Sequence, residues 1–205
     1  NRVLTSSIAD LHFCPTAGNR ENLLREGRKI EDIFVTGNTV IDALRTTVKE
    51  SFSFPESVLN RLDYVNRRVI LVTCHRRENY GQPMAQIMTA LRRLADAFPD
   101  TELVYPVHLS PVVQEAAHTY LDGHPRIHLI PPLAVDGMHN LMARCHLVMT
   151  DSGGLQEEAP ALGKPVLVLR RETERPEAVS AGTVQLAGVE EEAIFQMASR
   201  LLSDP

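Results

Sequence analysis

The segment at residues 146–158 combines an apolar run, a turn of small residues and an acidic helix start, an order that can bind an anion. The turn places Ser152, Gly153 and Gly154 where the first backbone N–H groups of a helix are unpaired. Such a helix N-terminus attracts phosphate, and glycines let an anion approach the backbone closely. Glu158 follows one turn later, within reach of a ribose attached to that anion. The spacing favours a nucleotide diphosphate site.

An alternative interpretation of this turn needs no ligand, because Asp, Ser and Gly are also ordinary capping residues before a helix. Two further polar groups follow apolar runs, namely the segment His75–Asn79 and the single His108. Taken singly, they are compatible with a solvated loop and a surface histidine. Ligands collect beyond the carboxyl ends of parallel strands, however, so three polar groups at one such edge favour a shared site.

The composition is that of an ordinary globular protein and argues against several kinds of partner. Of the 205 residues, 43% are hydrophobic and 23% are charged, which is typical of a chain that buries a core. A net charge of -5 gives no electrostatic footprint for nucleic acid or an anionic membrane. No apolar run approaches the roughly 20 residues of a membrane helix, and the first residues lack a signal peptide's apolar segment. We therefore expect a cytoplasmic protein.

Cysteine and histidine patterns give no sign of thiol or metal chemistry. Cys14, Cys74 and Cys145 are widely spaced beside apolar residues, which predicts reduced thiols in a core. His124 and His128 have the spacing of a helical zinc pair, but the proline between them opposes a helix with both side chains on one face. We expect neither a bound metal nor a catalytic cysteine.

Apolar runs alternate with amphipathic segments along most of the chain. Predicted strands lie at residues 33–35, 69–73, 103–107, 127–130, 147–150, 166–169 and 184–186, with a further apolar run at 11–14. Predicted helices lie at residues 16–26, 39–49, 83–97, 111–122, 136–144, 155–162, 176–181 and 190–202, and residues 51–55 are typical of a linker. This alternation predicts an α/β fold with a Rossmann-like parallel sheet covered by helices on both faces. The sequence contains neither the glycine fingerprint of dinucleotide-binding domains nor a complete P-loop.

Several motifs together are far more specific than the turn alone. They are residues 151–166, Phe13–Thr16, Val35–Asp42, His75–Asn79, Tyr105–His108 and Thr173–Glu177. In these motifs the chain resembles the non-hydrolysing UDP-N-acetylglucosamine 2-epimerases over nearly its whole length. The resemblance implies a two-domain GT-B fold. Residues 1–35 would close the N-terminal Rossmann-like domain, and residues 36–205 would form the C-terminal UDP-binding domain without its final crossing helix.

The resemblance also implies which residues bind UDP. The implied set is Ser152, Gly153, Gly154, Glu158, Arg175 and Met138. Arg175 would line the nucleotide pocket. Met138 stands at an aromatic-type position in a stretch where the family packs uracil, so base packing is less well supported than binding of the diphosphate or the ribose.

A second group of residues is implied on the same edge of the sheet. His75 matches a catalytic position beside the substrate diphosphate, where an imidazole could donate to a leaving phosphate oxygen. Arg76 and His108 match positions that contact a second, activating UDP-N-acetylglucosamine in bacterial members of the family. The resemblance thus separates a catalytic residue from two regulatory ones.

The family's reaction inverts C2 of the sugar in UDP-N-acetylglucosamine to give UDP-N-acetylmannosamine. It is thought to remove the C2 proton and expel UDP, which re-adds after reprotonation, so it needs carboxylates and a polar cradle for the diphosphate. By resemblance the carboxylates lie in the N-terminal domain, and this chain alone is expected to be incomplete for catalysis. The resemblance implies an isomerase that binds UDP-N-acetylglucosamine and UDP without a cofactor. It also implies a cytoplasmic homodimer in cell-envelope polysaccharide biosynthesis.

Two alternatives remain open from the sequence. A GT-B glycosyltransferase using a UDP-sugar has the same C-terminal nucleotide cradle, although the full set of epimerase-like motifs disfavours it. A non-catalytic UDP-sugar-binding module is the other alternative. Fold analogy does not separate these functions. Paired acidic residues in a preceding Rossmann-like domain would favour the epimerase.

Overall fold

The order of the strands in the main sheet determines where a ligand can bind. The computed structural model describes residues 2–173, 179 and 182–203. The strands are β1 (His12–Cys14), β2 (Ile33–Val35), β3 (Arg68–Thr73), β4 (Thr101–Pro106), β5 (Ile127–Ile130), β6 (Leu147–Thr150), β7 (Val166–Val168) and β8 (Val184–Leu186). The α-helices are α1 (Arg2–Ile8), α2 (Ala17–Arg25), α3 (Thr39–Thr47), α4 (Ser57–Arg61), α5 (Gln82–Ala97), α6 (Pro111–Leu121), α7 (Val135–Arg144), α8 (Leu155–Ala161) and α9 (Glu191–Ser203).

Six parallel strands form the main sheet in the order β5-β4-β3-β6-β7-β8. In chain order, β3, β4 and β5 extend the sheet toward one edge, and β6, β7 and β8 extend it toward the other. The direction of strand addition therefore reverses between the neighbours β3 and β6. In open parallel sheets the crevice at such a reversal, beyond the carboxyl ends of the strands, is where ligands bind. His75 and Asp151 lie in the loops after β3 and β6, within two residues of the strand ends.

Helices cover both faces of this sheet, as the sequence predicts. Alternate residues of β3 point to opposite sides: Ile70 and Val72 pack in the core under α5, α6 and α9, whereas Val69 and Leu71 pack in the core with α7 and α8. These four strand residues are at most 1% exposed, so both faces of the sheet are closed to bulk solvent here. The α/β fold with a Rossmann-like sheet is confirmed.

The chain divides into two compact units between Thr46 and Thr47. In the first unit β1 pairs with β2 in parallel, and Cys14, Leu23 and Ile33 form a small core. The second unit contains the six-stranded sheet. The expected domain boundary between residues 35 and 36 stays a prediction.

Two parts of the fold differ from the sequence-based expectation. Helices α1 and α4 were not predicted, and residues 51–55 are not a linker. Phe54 is 5% exposed in the core on the α7 side, with its ring centroid 5.0 Å from that of Phe52. The amide of Asn60 bonds the backbone N–H and C=O of Phe54, at 2.8 and 2.7 Å, which fixes the segment.

Of the helix predicted at residues 176–181, only residue 179 is described. Among the described helices, none has both the length and the apolar character required to cross a membrane.

Candidate functional site

A buried aspartate joins the two loops at the reversal of strand order. Asp151 is fully buried, and its Oδ2 accepts hydrogen bonds from the backbone N–H groups of His75 (2.8 Å) and Arg76 (2.7 Å). It also accepts from the side-chain amide of Asn79 (3.1 Å), which donates to the carbonyl of Leu169 as well. One carboxylate oxygen thus anchors the loop after β3 onto the loop after β6. Sequence analysis treated Asp151 only as part of the turn and missed this role.

The side chain of His75 lies between Asp151 and His108. Its Nε2 is 3.8 Å from Oδ1 of Asp151, and within the described part of the chain Oδ1 has no hydrogen-bond partner. The His75 and His108 rings stack with centroids 5.3 Å apart and planes inclined by 22°. With 39% of its side chain exposed, His75 is accessible to a ligand. The structure therefore brings together His75 and His108, which the sequence placed on one edge.

Arg76 and His108 are held by neighbouring backbone groups. Nε of Arg76 donates to the carbonyl of Asp151 at 3.1 Å. The N–H of Ser110 donates to Nδ1 of His108 at 3.0 Å, so Nδ1 carries no proton in this arrangement and the Nε2–H is available on an exposed ring. The imidazole of His108 can consequently donate one hydrogen bond to a ligand from this edge.

The Ser-Gly-Gly turn leaves two backbone donors available rather than three. The N–H of Ser152 already donates to Oγ1 of Thr150 at 2.9 Å, and that hydroxyl lies 2.6 Å from Oγ1 of Thr73. In the ranges that the structure describes, the N–H groups of Gly153 and Gly154 donate to no protein acceptor. Ser152 can therefore contribute its hydroxyl, while the two glycines contribute the N–H groups expected at a helix start.

Glu158 projects from the first turn of α8 back over Gly154. A Cβ added to Gly154 would lie 3.2 Å from Oε1 of Glu158, although Gly154 has helical backbone angles (φ -65°, ψ -46°) that any residue can adopt. The glycine therefore matters for the position of Glu158, which a Cβ would displace by a few tenths of an ångström, rather than for backbone conformation. The other carboxylate oxygen, Oε2, lies 3.3 Å from Nε2 of His139 on α7. Met138, the neighbouring residue on α7, is partly buried against the core that α7 and α8 form with the sheet.

A buried glutamine supports the turn from below and was also missed by the sequence analysis. Gln156 is fully buried, and its amide donates to the carbonyl of Ser152 at 3.3 Å. Its Oε1 accepts from the hydroxyl of Thr173 at 2.5 Å. Gln156 thus connects the turn to the segment that leads to Arg175, a predicted site residue that lies outside the described residues.

The cysteine beside His75 is a buried thiol that favours its protonated form. Cys74 is fully buried, and burial raises the pKa of its thiol well above the usual value, with the Asp151 carboxylate adding to the shift. Burial likewise raises the pKa of Cys145 to about 12. The prediction of core thiols is confirmed.

Together, the groups at the carboxyl ends of the main-sheet strands suit the binding of a nucleoside diphosphate. Two N–H groups and a hydroxyl stand at the turn, a carboxylate stands one helical turn away, and two imidazoles lie across the junction that Asp151 fixes. N–H donors and imidazoles suit phosphate oxygens, whereas a carboxylate suits sugar hydroxyls.

Comparison with known proteins gives a consistent result. Residues 1–205 match the family model described as UDP-N-acetylglucosamine 2-epimerase. A UDP-N-acetylglucosamine 2-epimerase of Bacillus subtilis is 56% identical over 206 residues, which cover 100% of this chain and 53% of that protein.

Two solved structures extend the comparison to ligands. The UDP-GlcNAc 2-epimerase of Neisseria meningitidis bound to UDP-GlcNAc is 41% identical with a TM-score of 0.91, covering 100% of this chain and 56% of that one. The enzyme of Methanocaldococcus jannaschii in complex with UDP-GlcNAc and UDP is 31% identical with a TM-score of 0.82, covering 100% and 57%. The chain spans about half the length of the relatives it matches.

Proposed function

The chain belongs to the UDP-N-acetylglucosamine 2-epimerase family, and we propose that it is the UDP-binding part of an isomerase that interconverts UDP-N-acetylglucosamine and UDP-N-acetylmannosamine. Its sheet is the C-terminal Rossmann-like half of a GT-B fold. The observation that carries the proposal is the pair of N–H groups at Gly153 and Gly154, which have no acceptor within the described part of the chain and stand in the turn below Oε1 of Glu158.

In this proposal the turn binds the diphosphate and Glu158 binds the ribose. The N–H groups of Gly153 and Gly154 and the hydroxyl of Ser152 donate to phosphate oxygens. Arg175 adds positive charge to the pocket, and Met138 contacts the base. Proton transfer at C2 belongs to carboxylates of the complete protein, so residues 1–205 alone are expected to bind UDP without turning substrate over at an ordinary rate of about 1 per second.

Titration calorimetry of UDP into the chain tests the nucleotide site. Replacing Glu158 by Ala removes a charged hydrogen-bond acceptor, which weakens binding by roughly 1.5 to 3 kcal/mol, or about tenfold or more in Kd. Glu115→Ala, on the exposed side of α6, is the matched control and should leave the affinity unchanged. Equal affinities for Glu158→Ala and the parent would remove Glu158 from the site.

We further propose that His75 serves the leaving diphosphate and that Arg76 and His108 serve a neighbouring regulatory UDP-N-acetylglucosamine. The stacking of the two rings supports a shared surface with two functions. In the full-length protein, His75→Ala should lower kcat, because a group acting on the leaving diphosphate stabilises the transition state. His108→Ala should change the dependence of rate on substrate concentration while sparing the maximal rate. Steady-state kinetics of both variants separates the roles, and a full maximal rate in His75→Ala with none in His108→Ala reverses them.

The same family membership leads us to infer that the complete protein is a cytoplasmic homodimer and that its product serves cell-envelope polysaccharide synthesis. The support for these points is the family resemblance alone. Sedimentation of the full-length protein at twice the monomer mass is the expected result for the dimer, and a monomer at micromolar concentration would refute it.

A further inference from the structure

Glu158 is held from behind by a buried histidine to which the proposed function gives no role. His139 lies on α7 and is 2% exposed. Its Nε2 lies 3.3 Å from Oε2 of Glu158, and its Nδ1 lies 2.7 Å from Oγ1 of Thr47 at the end of α3. The three side chains therefore lie in a row that leads from the end of α3 to the edge of the Ser-Gly-Gly turn, with a hydrogen bond between Thr47 and His139 and an ion-pair distance between His139 and Glu158.

The chemistry of the three groups makes the row favourable. A carboxylate offers only acceptors, so a proton on Nε2 of His139 stabilises the 3.3 Å contact with Glu158. The hydroxyl of Thr47, 2.7 Å from Nδ1, can donate to or accept from the other ring nitrogen. Thr47 thus fixes the orientation of the His139 ring.

The second oxygen of Glu158 is directed to the ligand side. Oε1 stands over the turn, at 3.2 Å from the position of a Cβ on Gly154, and 14% of the Glu158 side chain is exposed. A glutamate has three rotatable bonds and loses rotamer freedom when it is fixed by a ligand. Because His139 already holds Oε2, that loss occurs on folding and is not incurred again when a ligand binds.

We propose that His139, oriented by Thr47, is a positioning residue that fixes Glu158 for the two ribose hydroxyls. It thereby sets the preference of the site for a ribonucleoside diphosphate over one that lacks these hydroxyls. The inference rests on the proposed UDP site and adds to it a residue, buried away from the ligand, that determines sugar selectivity.

Calorimetric titration with UDP and with 2′,3′-dideoxy-UDP measures this preference. The parent chain should bind UDP about tenfold or more tightly than the dideoxy analogue, because a charged acceptor loses its partners in the analogue. His139→Leu keeps a similar volume without the donor and should reduce the preference to about threefold, through weaker UDP binding alone. His139→Gln replaces the donor with an amide N–H and should restore most of the preference.

Two further variants distinguish positioning from a merely structural role. Glu158→Ala should abolish the preference and make His139→Leu silent in the double variant, since the two residues act through one carboxylate. Thr47→Val should reduce the preference less than His139→Leu does. A purely structural role for His139 would lower the melting temperature and weaken both nucleotides equally.

The outcomes separate this inference from the proposed function. If His139→Leu keeps the full preference while Glu158→Ala loses it, the positioning role is wrong and the UDP site stands. If the parent has no preference for UDP, the ribose contact in the proposed function is wrong and the role of His139 fails with it. If His139→Leu does not fold, an unchanged preference in Thr47→Val overturns the inference.

Discussion

Both ends of the parallel sheet carry cationic and polar side chains. The two ends differ in how far their hydrogen-bond donors are paired with acceptors in the protein. At the amino ends of the strands a cavity of about 540 Å³ is lined by Arg67, Arg68 and Arg144, among others. Each of these guanidinium groups donates to a protein acceptor: Arg67 to the carbonyl of Pro99 at 2.6 Å, Arg68 to Asp100, and Arg144 to the carbonyl of Lys49 at 2.9 Å. In the described part of the chain, Nε of Arg68 is the atom of this group that stays buried without a partner.

At the carboxyl ends, by contrast, backbone donors remain without a protein acceptor among the described residues. The N–H groups of Gly153 and Gly154 have no acceptor within the described ranges, and the ring of His108 is exposed. Backbone donors at a helix start bind an anion without side-chain reorganisation. If UDP binds at the carboxyl ends, as we propose, pre-aligned backbone donors indicate the ligand site better than cavity size or positive charge does.

The largest effect is expected from removing the carboxylate of Asp151, which joins the loops after β3 and β6. Asp151→Ala leaves the N–H groups of His75 and Arg76 and the amide of Asn79 without this buried acceptor, and should lower the free energy of unfolding by about 3 kcal/mol. Urea denaturation measures the change. Asp151→Asn keeps an acceptor oxygen and should be distinctly less destabilised. A loss below about 0.5 kcal/mol in the Ala variant would show that Asp151 does not fix the two loops.

A smaller effect, on UDP affinity rather than on stability, is expected from substitution of Gly154. Gly154→Ala fits the helical backbone, so stability should change by less than about 1 kcal/mol. The added methyl group displaces Glu158 from its position, and the Kd for UDP should rise about fivefold. Gly18→Ala, whose Cβ would meet nothing nearer than 3.7 Å, is the matched control. Unchanged UDP binding by Gly154→Ala would contradict the placement of Glu158 over the turn.

The smallest effect is expected at the opposite end of the sheet. Arg68 and Asp100 are partly exposed, with 24% and 49% of their side chains accessible, so Arg68→Gln should destabilise the fold by no more than about 1 kcal/mol. The Kd for UDP should stay within about twofold of the parent value, since no part of the proposed site is touched. A tenfold loss of UDP affinity in calorimetry would move the nucleotide to the amino ends of the strands.

The sequence predicts the sheet well because its strands are continuous apolar runs. Residues 69–73 and 147–150 match β3 and β6 to within one residue, and residues 83–97 and 111–122 match α5 and α6 equally closely. The prediction of a linker at residues 51–55, which contain the buried Phe54, was wrong for a physical reason. Short polar and proline-flanked segments look like linkers unless it is known which surface lies beneath them, and here the α7 side of the sheet covers the ring.

The candidate site was predictable from the sequence where its residues share one segment or follow strands at one edge of the predicted sheet. The turn and Glu158 lie within one segment, and the predicted edge brought in His75 and His108 by strand position alone. Asp151, with a partner 76 residues away, and His139, whose partner Thr47 is 92 residues away, act through buried long-range contacts. Residue spacing carries no signal for such pairs. A polar residue within an apolar helix face, as at His139, is the one hint that the sequence offers.

The most direct test of the central claim is amide hydrogen exchange of the chain with and without UDP. If the carboxyl ends of β3 and β6 hold the nucleotide, the amides of Gly153 and Gly154 should exchange more slowly with UDP, because a phosphate oxygen accepts from each of them. The amides of Arg67 and Arg68, at the amino end of β3, should not change. Unchanged exchange at Gly153 and Gly154, with slowed exchange at Arg67 and Arg68, would contradict the account.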